Sequence, residues 1–248
     1  MEIVGSGFLA KNLRSIAHLY PDTVVFAAGV SSGYGAAPEE FDRDAALVYE
    51  TLDRCARTGR RIAYFSTSSA GMYGVRLAVC SEDGPVFPTS SYGRHKLAME
   101  SVIARSGVDH LILRLAYPVG PDQREHQFLP SLVGQIRRGS VRVRRGARRD
   151  IIHVDDVVAL VDALLAGGAS GETVNVASGT AMPVGDIVEY LEFRLGVSAG
   201  RQYEDVPAEP TVCIAKLRRL AGLADQLGFG PEYYRDAIDR YLGTAVPD

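Results

Sequence analysis

Short runs of β type alternate with amphipathic helical patterns along most of this chain, and that alternation admits few folds other than a parallel sheet wrapped by helices on both faces. Strands are predicted at Met1 to Val4, Thr23 to Ala28, Arg61 to Ser66 and His110 to Leu115, with shorter runs near Val141 and at Thr173 to Val176. The clearest helix is predicted over Pro38 to Arg57, where Phe41, Ala45, Val48, Leu52 and Cys55 step by four, three, four and three residues into one buried stripe. Asp155 or Asp156 is the expected cap of a helix that runs to Leu165 and stops at Gly167 and Gly168. Pro183 opens another that ends at Gly196, and a last helix is expected from about Pro231 to Leu242. A chain of 248 residues has room for one such α/β domain with a full core and a small appended lobe.

Charge and composition remove several function classes. The net charge is -3, which argues against a nucleic-acid partner, and no apolar run approaches the roughly 18 to 20 residues that span a bilayer. The first residues lack the charged-then-apolar pattern of a signal peptide, so a cytoplasmic location is the expectation. Cys55, Cys80 and Cys213 are scattered and outside zinc-type spacing, and read as reduced thiols. His18, His95, His110, His126 and His153 show no ligand spacing, so no metal is expected. His153 reads as structural, and His95 should point away from Tyr92 on a helix.

The first motif is Gly5, Gly7 and Ala10 in G-x-G-x-x-A spacing between an apolar strand and a helix. In that setting the first glycine allows a tight turn and the second lets backbone approach a pyrophosphate. The alanine permits close packing of helix on strand, and the phosphates rest on the helix N-terminus. A complete dinucleotide fingerprint has an acid about 20 residues on to hold the adenosine ribose, and here "VVFAAGVSS" carries none. The second motif is more specific. "YFSTSSAGMYG" at 64 to 74 places a Ser/Thr cluster at a strand's carboxyl end, and "YGRHK" at 92 to 96 follows. On a helix Tyr92, Lys96 and Glu100 share one face. A tyrosine of pKa about 10 shuttles protons poorly near neutrality, and a nearby lysine ammonium is expected to bring it down.

These segments together resemble an extended short-chain dehydrogenase/reductase of the NAD-dependent epimerase/dehydratase family, which mostly acts on nucleotide-linked sugars. "GFLAKNL" is similar to the family's glycine-loop helix, "VVFAAG" to the strand that lines the cofactor, and "FSTSSAGMYG" to its S-S-x-x-V-Y-G segment. "EDGPVFPTSSYGRHKLAME" resembles the acidic loop and Y-x-x-x-K helix, "LRLAYPVGP" the R-x-x-N-x-x-G-P segment, "RRDIIHVDDVV" the R-D-F-x-H-V-D-D element, and "ETVNVASG" the stretch after it. The resemblance implies a shortened Rossmann-like doubly wound parallel sheet with a small C-terminal substrate-binding lobe. Residues 1–116 with parts of 150–177 would hold the cofactor, and 117–149 with 178–248 the substrate. It implies Ser69 as the catalytic hydroxyl, Tyr92 as the acid/base, and Lys96 as the residue that binds the nicotinamide ribose and lowers the tyrosine pKa. Gly5, Gly7, Phe8 and Leu9 match the pyrophosphate loop, Ala28 and Gly29 the cofactor wall, and Tyr117 the usual asparagine position near the nicotinamide. Ser68 and Arg149 match substrate contacts, the latter with a guanidinium fork suited to a diphosphate. The implied cofactor is NAD or NADP, with NAD favoured; a homodimer through the helices at Pro38 to Arg57 and Tyr92 to Ser106 is implied by analogy.

Departures narrow the expectation. Fewer than 20 residues separate Ala10 from "VVFAAG", where the family places two more strands and a helix, so the second and third strands read as deleted and Thr23 to Ala28 as the family's fourth. Ala70 and Gly71 stand where sugar 4,6-dehydratases have Asp and Glu, which speaks against water elimination. "IRRGSVRVRRGARRD" reads as a charged loop or solvated face from which Arg149 reaches the substrate. The expected activity is nicotinamide-dependent oxidoreduction or epimerisation of a nucleotide-linked, deoxy-type sugar. The alternatives are a net 4-ketoreductase, or a fold impaired in cofactor binding that serves as a regulator or scaffold.

Overall fold

In the computed structural model, which describes residues 1–30 and 37–245, the expected runs pair into one parallel sheet in sequential order. Its strands are β1 (Glu2–Val4), β2 (Thr23–Phe26), β3 (Arg61–Thr67), β4 (His110–Leu115) and β5 (Glu172–Val176). The helices are α1 (Phe8–Leu13), α2 (Pro38–Thr58), α3 (Ala70–Tyr73), α4 (Ser91–Arg105), α5 (Phe128–Arg137), α6 (Val154–Ala166), α7 (Val184–Leu195), α8 (Ala215–Leu220) and α9 (Tyr233–Ala245). This is a Rossmann-like α/β fold, and each strand reads as an apolar run because both faces are covered.

Alternate residues sort onto the two faces. Val24, Phe26, Ile62, Tyr64 and Ile112 pack against Val48, Leu52 and Cys55 of α2 and Met99 and Ile103 of α4. Val25, Ala63, Phe65, Leu111 and Leu113 point the other way, toward Leu13 of α1 and Val157, Leu160, Val161 and Leu164 of α6. Each such side chain contributes about 1.5–3 kcal/mol by leaving water. The stripe of α2 is buried from Val48 to Cys55, while Phe41 and Ala45 are half-buried and an acid, Asp44, is buried among them. Pro38 starts α2, Glu39 and Glu40 face its positive end, and Gly59 (φ +67°) stops it with a bond to the Cys55 carbonyl.

β1 pairs with β2 alone, so among the described residues it is a sheet edge. The window read for a ribose-holding acid includes Ser31 and Ser32, which lie outside the described residues. α1 and α2 lie on opposite faces of β2, yet both connect neighbouring strands in the same direction across the sheet. Their two crossovers therefore have opposite hands.

The arginine run holds the strand expected near Val141 and corrects the expectation of a charged loop there. Ser140–Arg145 is a strand, parallel to Gly200–Asp205, with Val141 and Val143 buried and Arg144 and Arg145 paired to Glu204 (3.1 Å) and Asp205 (3.5 Å). The cap of α6 differs too. His153 occupies it, Nδ1 accepting from the Asp155 N–H at 3.3 Å, because Asp156 is taken by the Tyr233 hydroxyl and by Arg240 Nη1 at 2.8 Å. The same Tyr233 hydroxyl accepts from the His153 N–H at 3.0 Å, and α9 starts at this tyrosine rather than at Pro231.

Candidate active site

The carboxyl ends of β1 to β4 converge, and there an open α/β sheet binds its ligands. After β1, Gly5 has φ +130°, and a Cβ on it would stand 2.6 Å from the Ala27 carbonyl oxygen, so this turn requires glycine to lie against the end of β2. Gly7 caps α1 with no side-chain hydrogen bond, and a Cβ there would meet nothing within 4 Å. The first N–H groups of a helix lack intrahelical partners, so an uncapped start such as this one can take a pyrophosphate. Phe8 supplies only backbone to that cradle: its ring is buried beside Gly120, while Leu9 is half-buried. Ala28 and Gly29 follow β2, Gly29 at φ +97°.

At the end of β3 the chain turns through Thr67, Ser68 and Ser69 into α3. Ser69 occupies the N-cap, half-buried, and its N–H bonds the Thr67 hydroxyl at 3.2 Å. α4 approaches this turn closely because Gly93 lacks a side chain; a Cβ there would lie 1.9 Å from the Gly71 carbonyl oxygen. The Ser90 hydroxyl accepts from the Gly93 N–H at 3.0 Å and fixes the first turn of α4. That contact brings Tyr92 beside β3, where its phenol hydrogen-bonds Thr67. The family resemblance points to Ser69 within the cluster of four successive hydroxyls, whereas the phenol meets Thr67.

Lys96 is 2% exposed, and its Nζ donates to the Tyr64 hydroxyl (3.1 Å) and the Phe65 carbonyl (3.4 Å), 6.0 Å from the Tyr92 ring centre. Burial lowers its pKa, with Asp44 and Glu100 opposing. Tyr92 differs from the expectation of a lowered pKa: burial and then the Asp44 carboxylate push it well up, and the Thr67 hydrogen bond pulls only partly back. Glu100, on the same face of α4, is committed elsewhere, to Arg114 at 2.7 Å.

Asp44 is the residue the sequence reading missed. Its Oδ2 bonds His95 Nε2 at 2.5 Å, and its buried Oδ1, facing Gly29, has no hydrogen-bond partner among the described residues. An acid inside the apolar stripe of α2 was the available signal.

The far wall comes from the second half of the chain. A narrow cavity of about 20 Å³ is lined by Ser68, Ser69, Tyr117, Arg148, Asp150 and Glu209. Asp150 accepts the N–H groups of Ser178 and Gly179, both at 2.8 Å, and burial pushes its pKa up to about 6. The Arg149 guanidinium lies over the Tyr117 ring (4.7 Å) and the Phe128 ring (5.5 Å), and Nη1 contacts the Glu209 carboxylate. Among the described residues no three His, Cys, Asp or Glu side chains converge as metal ligands, and no helix is long and apolar enough to cross a membrane.

The model of the NAD dependent epimerase/dehydratase family matches residues 10–177. The chain belongs to that family. Within it, the chain is 28% identical over 226 residues to the UDP-glucose 4-epimerase of Azospirillum brasilense, a match over 79% of this chain and 62% of the epimerase. It is 24% identical over 194 residues to the dTDP-4-dehydro-6-deoxyglucose reductase of Escherichia coli, over 72% and 59% of the two chains. The chain thus matches about three-fifths of the length of these relatives. Its fold is similar to that of RMD from Pseudomonas aeruginosa complexed with NADPH, with a TM-score of 0.77 at 21% identity over 97% of this chain and 96% of the other.

Proposed function

We propose that this family member carries out nicotinamide-dependent oxidation or reduction at a sugar carbon of a nucleotide-linked sugar. Epimerisation is the first reading and net 4-ketoreduction the alternative. The observation that carries it is the phenol of Tyr92 held by Thr67 beside the buried ammonium of Lys96, at the carboxyl ends of the strands. NAD or NADP, when bound, supplies the hydride exchange. Tyr92 gives its proton to a sugar keto oxygen or takes one from the hydroxyl, and Ser69 and Thr67 hold that oxygen and the phenol in line. Lys96 steadies the phenolate, and the cradle at Gly5 and Gly7 receives the pyrophosphate. Arg149 and Ser68 face the substrate, with Tyr117 between substrate and cofactor. Residues 1–116 with parts of 150–177 serve the cofactor, and 117–149 with 178–248 the substrate. Ala70 and Gly71 lack the carboxylates that eliminating water from the sugar would use.

Calorimetric titration with NADH and NADPH tests this directly. The wild-type chain is expected to bind one of them, and Tyr92→Phe to keep that binding while losing about 10²–10⁴-fold in turnover. A phenylalanine variant with ordinary turnover overturns the assignment of Tyr92. One observation favours a second reading, a regulator or scaffold: among the described residues β1 is the edge of the sheet, without a neighbouring strand that would carry a ribose-holding acid. Absence of binding of either dinucleotide at millimolar concentration decides for that reading.

A further inference from the structure

The segment Val206–Pro210 crosses the tip at Arg145 and Gly146, between the strands Gly200–Asp205 and Thr211–Val212. Two of its five residues are prolines without an N–H, and its main-chain anchors are Val206 N to the Arg145 carbonyl (2.9 Å) and Glu209 N to the Gly146 carbonyl (3.1 Å). Pro207 and Ala208 are exposed, while Glu209 turns inward. One oxygen of its carboxylate takes both the Arg148 N–H (3.0 Å) and Arg149 Nη1. Arg149 is already oriented without it, by the two rings beneath and by a bond from Nη1 to the Arg148 carbonyl at 2.8 Å, and its buried Nε has no partner. A planar guanidinium pre-oriented over aromatic faces, with a donor to spare, is built to receive an oxyanion. The neighbouring cavity of about 20 Å³ holds about one water, and Glu209 and Pro210 form part of its wall.

We infer that Glu209 stands on Arg149 in the place of a phosphate oxygen of the ligand, so that it sets how tightly the chain takes a diphosphate. The inference deepens the nucleotide-sugar reading and rests on it for the identity of the ligand. An incoming diphosphate exchanges with the Glu209 carboxylate, and the sparsely bonded segment moves aside with it. Ligands without an anionic group leave the pair intact and are not drawn to this wall. Glu209 acts through Arg149 and is a specificity-determining residue rather than a catalytic one.

Calorimetry with UDP, dTDP and inorganic pyrophosphate, on the wild-type chain and on Glu209→Gln, separates the outcomes. Glu209→Gln is expected to bind UDP or dTDP about fivefold tighter, the size of one partly exposed ion pair, and the gain should vanish in an Arg149→Met background. Glu209→Asp, which keeps the charge but shortens its reach, should fall between. A purely bracing role predicts the opposite, equal or weaker binding with a lowered melting temperature, and overturns the inference. Tighter pyrophosphate binding without any nucleotide binding supports the role of Glu209 while refuting the nucleotide reading. No anion bound by any variant at millimolar concentration refutes both.

Discussion

Tyr92 sits among groups that pull its proton in opposite directions, and the balance favours keeping it. Burial and the Asp44 carboxylate disfavour the phenolate, whereas the Thr67 hydrogen bond stabilises it. Replacing Asp44 with Asn removes a charge that raises the phenol. The alkaline limb of the pH profile for reduction should therefore move to lower pH, and oxidation, which needs the phenolate, should persist to lower pH; an unmoved limb in stopped-flow pH profiles would refute the coupling. Asp150 gives a second test. Its folded pKa, about 6, is above the ordinary carboxylate value of 3.8, so between these limits the folded chain binds more protons than the unfolded one. Its contribution to stability thus falls as pH rises from about 4 to 6, by up to about 3 kcal/mol. Subtracting the urea-denaturation profile of Asp150→Asn from that of the wild type should reveal this slope. Helical spacing put Tyr92, Lys96 and Glu100 on one face and located the hydroxyl cluster, because both are local properties; the choice of Ser69 within that cluster came from the family resemblance. The roles of Thr67 and Asp44 were not legible, because both depend on contacts between elements distant in the chain.

At the scale of elements, α4 is held to the sheet by one buried ion pair as well as by its apolar face. Glu100 and Arg114 are each 5% exposed, with Nη2 to carboxylate at 2.7 Å, and Arg114 Nη1 donates at 2.9 Å to the Tyr73 hydroxyl, which itself donates to Asn175 at 2.8 Å. This network joins α3, α4, β4 and β5 directly behind the Ser69 turn. Glu100→Ala leaves a buried guanidinium uncompensated and is expected to cost about 3–5 kcal/mol in chemical denaturation. Replacing the pair together, Glu100→Gln with Arg114→Met, should recover most of that. Loss of less than about 1 kcal/mol in the single variant would show that water reaches Arg114. Elements were legible where periodicity spoke: α2 spans Pro38–Thr58 against an expected end at Arg57. Near Val141 the strand was expected but its extent was not, because the arginines that alternate with Val141 and Val143 in Ser140–Arg145 also read as a charged loop. On the outer face, α2 and α4 leave Tyr49 55% exposed beside Leu52, Ala56 and Val102. If this face pairs two copies, Tyr49→Glu should shift the sedimentation coefficient to that of a monomer.

For the whole molecule, the parallel sheet followed from the alternation of runs, but its order did not, since nothing local tells a strand which neighbour it will join. β2–α2–β3 and β3–α4–β4 share one hand, and β1–α1–β2 and the passage through α6 from β4 to β5 share the other. The arrangement of the sheet also decides when the loop at Gly5 and Gly7 can form. α1 packs on α6, and β1 gains its one partner only from β2, so the segment Glu2–Leu13 has little to hold it until residues 154–166 have left the ribosome. Its amides should be among the last to gain protection in pulsed hydrogen exchange, after those of β3 and β4. The segment that carries Gly5 and Gly7 is thus finished late, after the rest of the sheet has assembled.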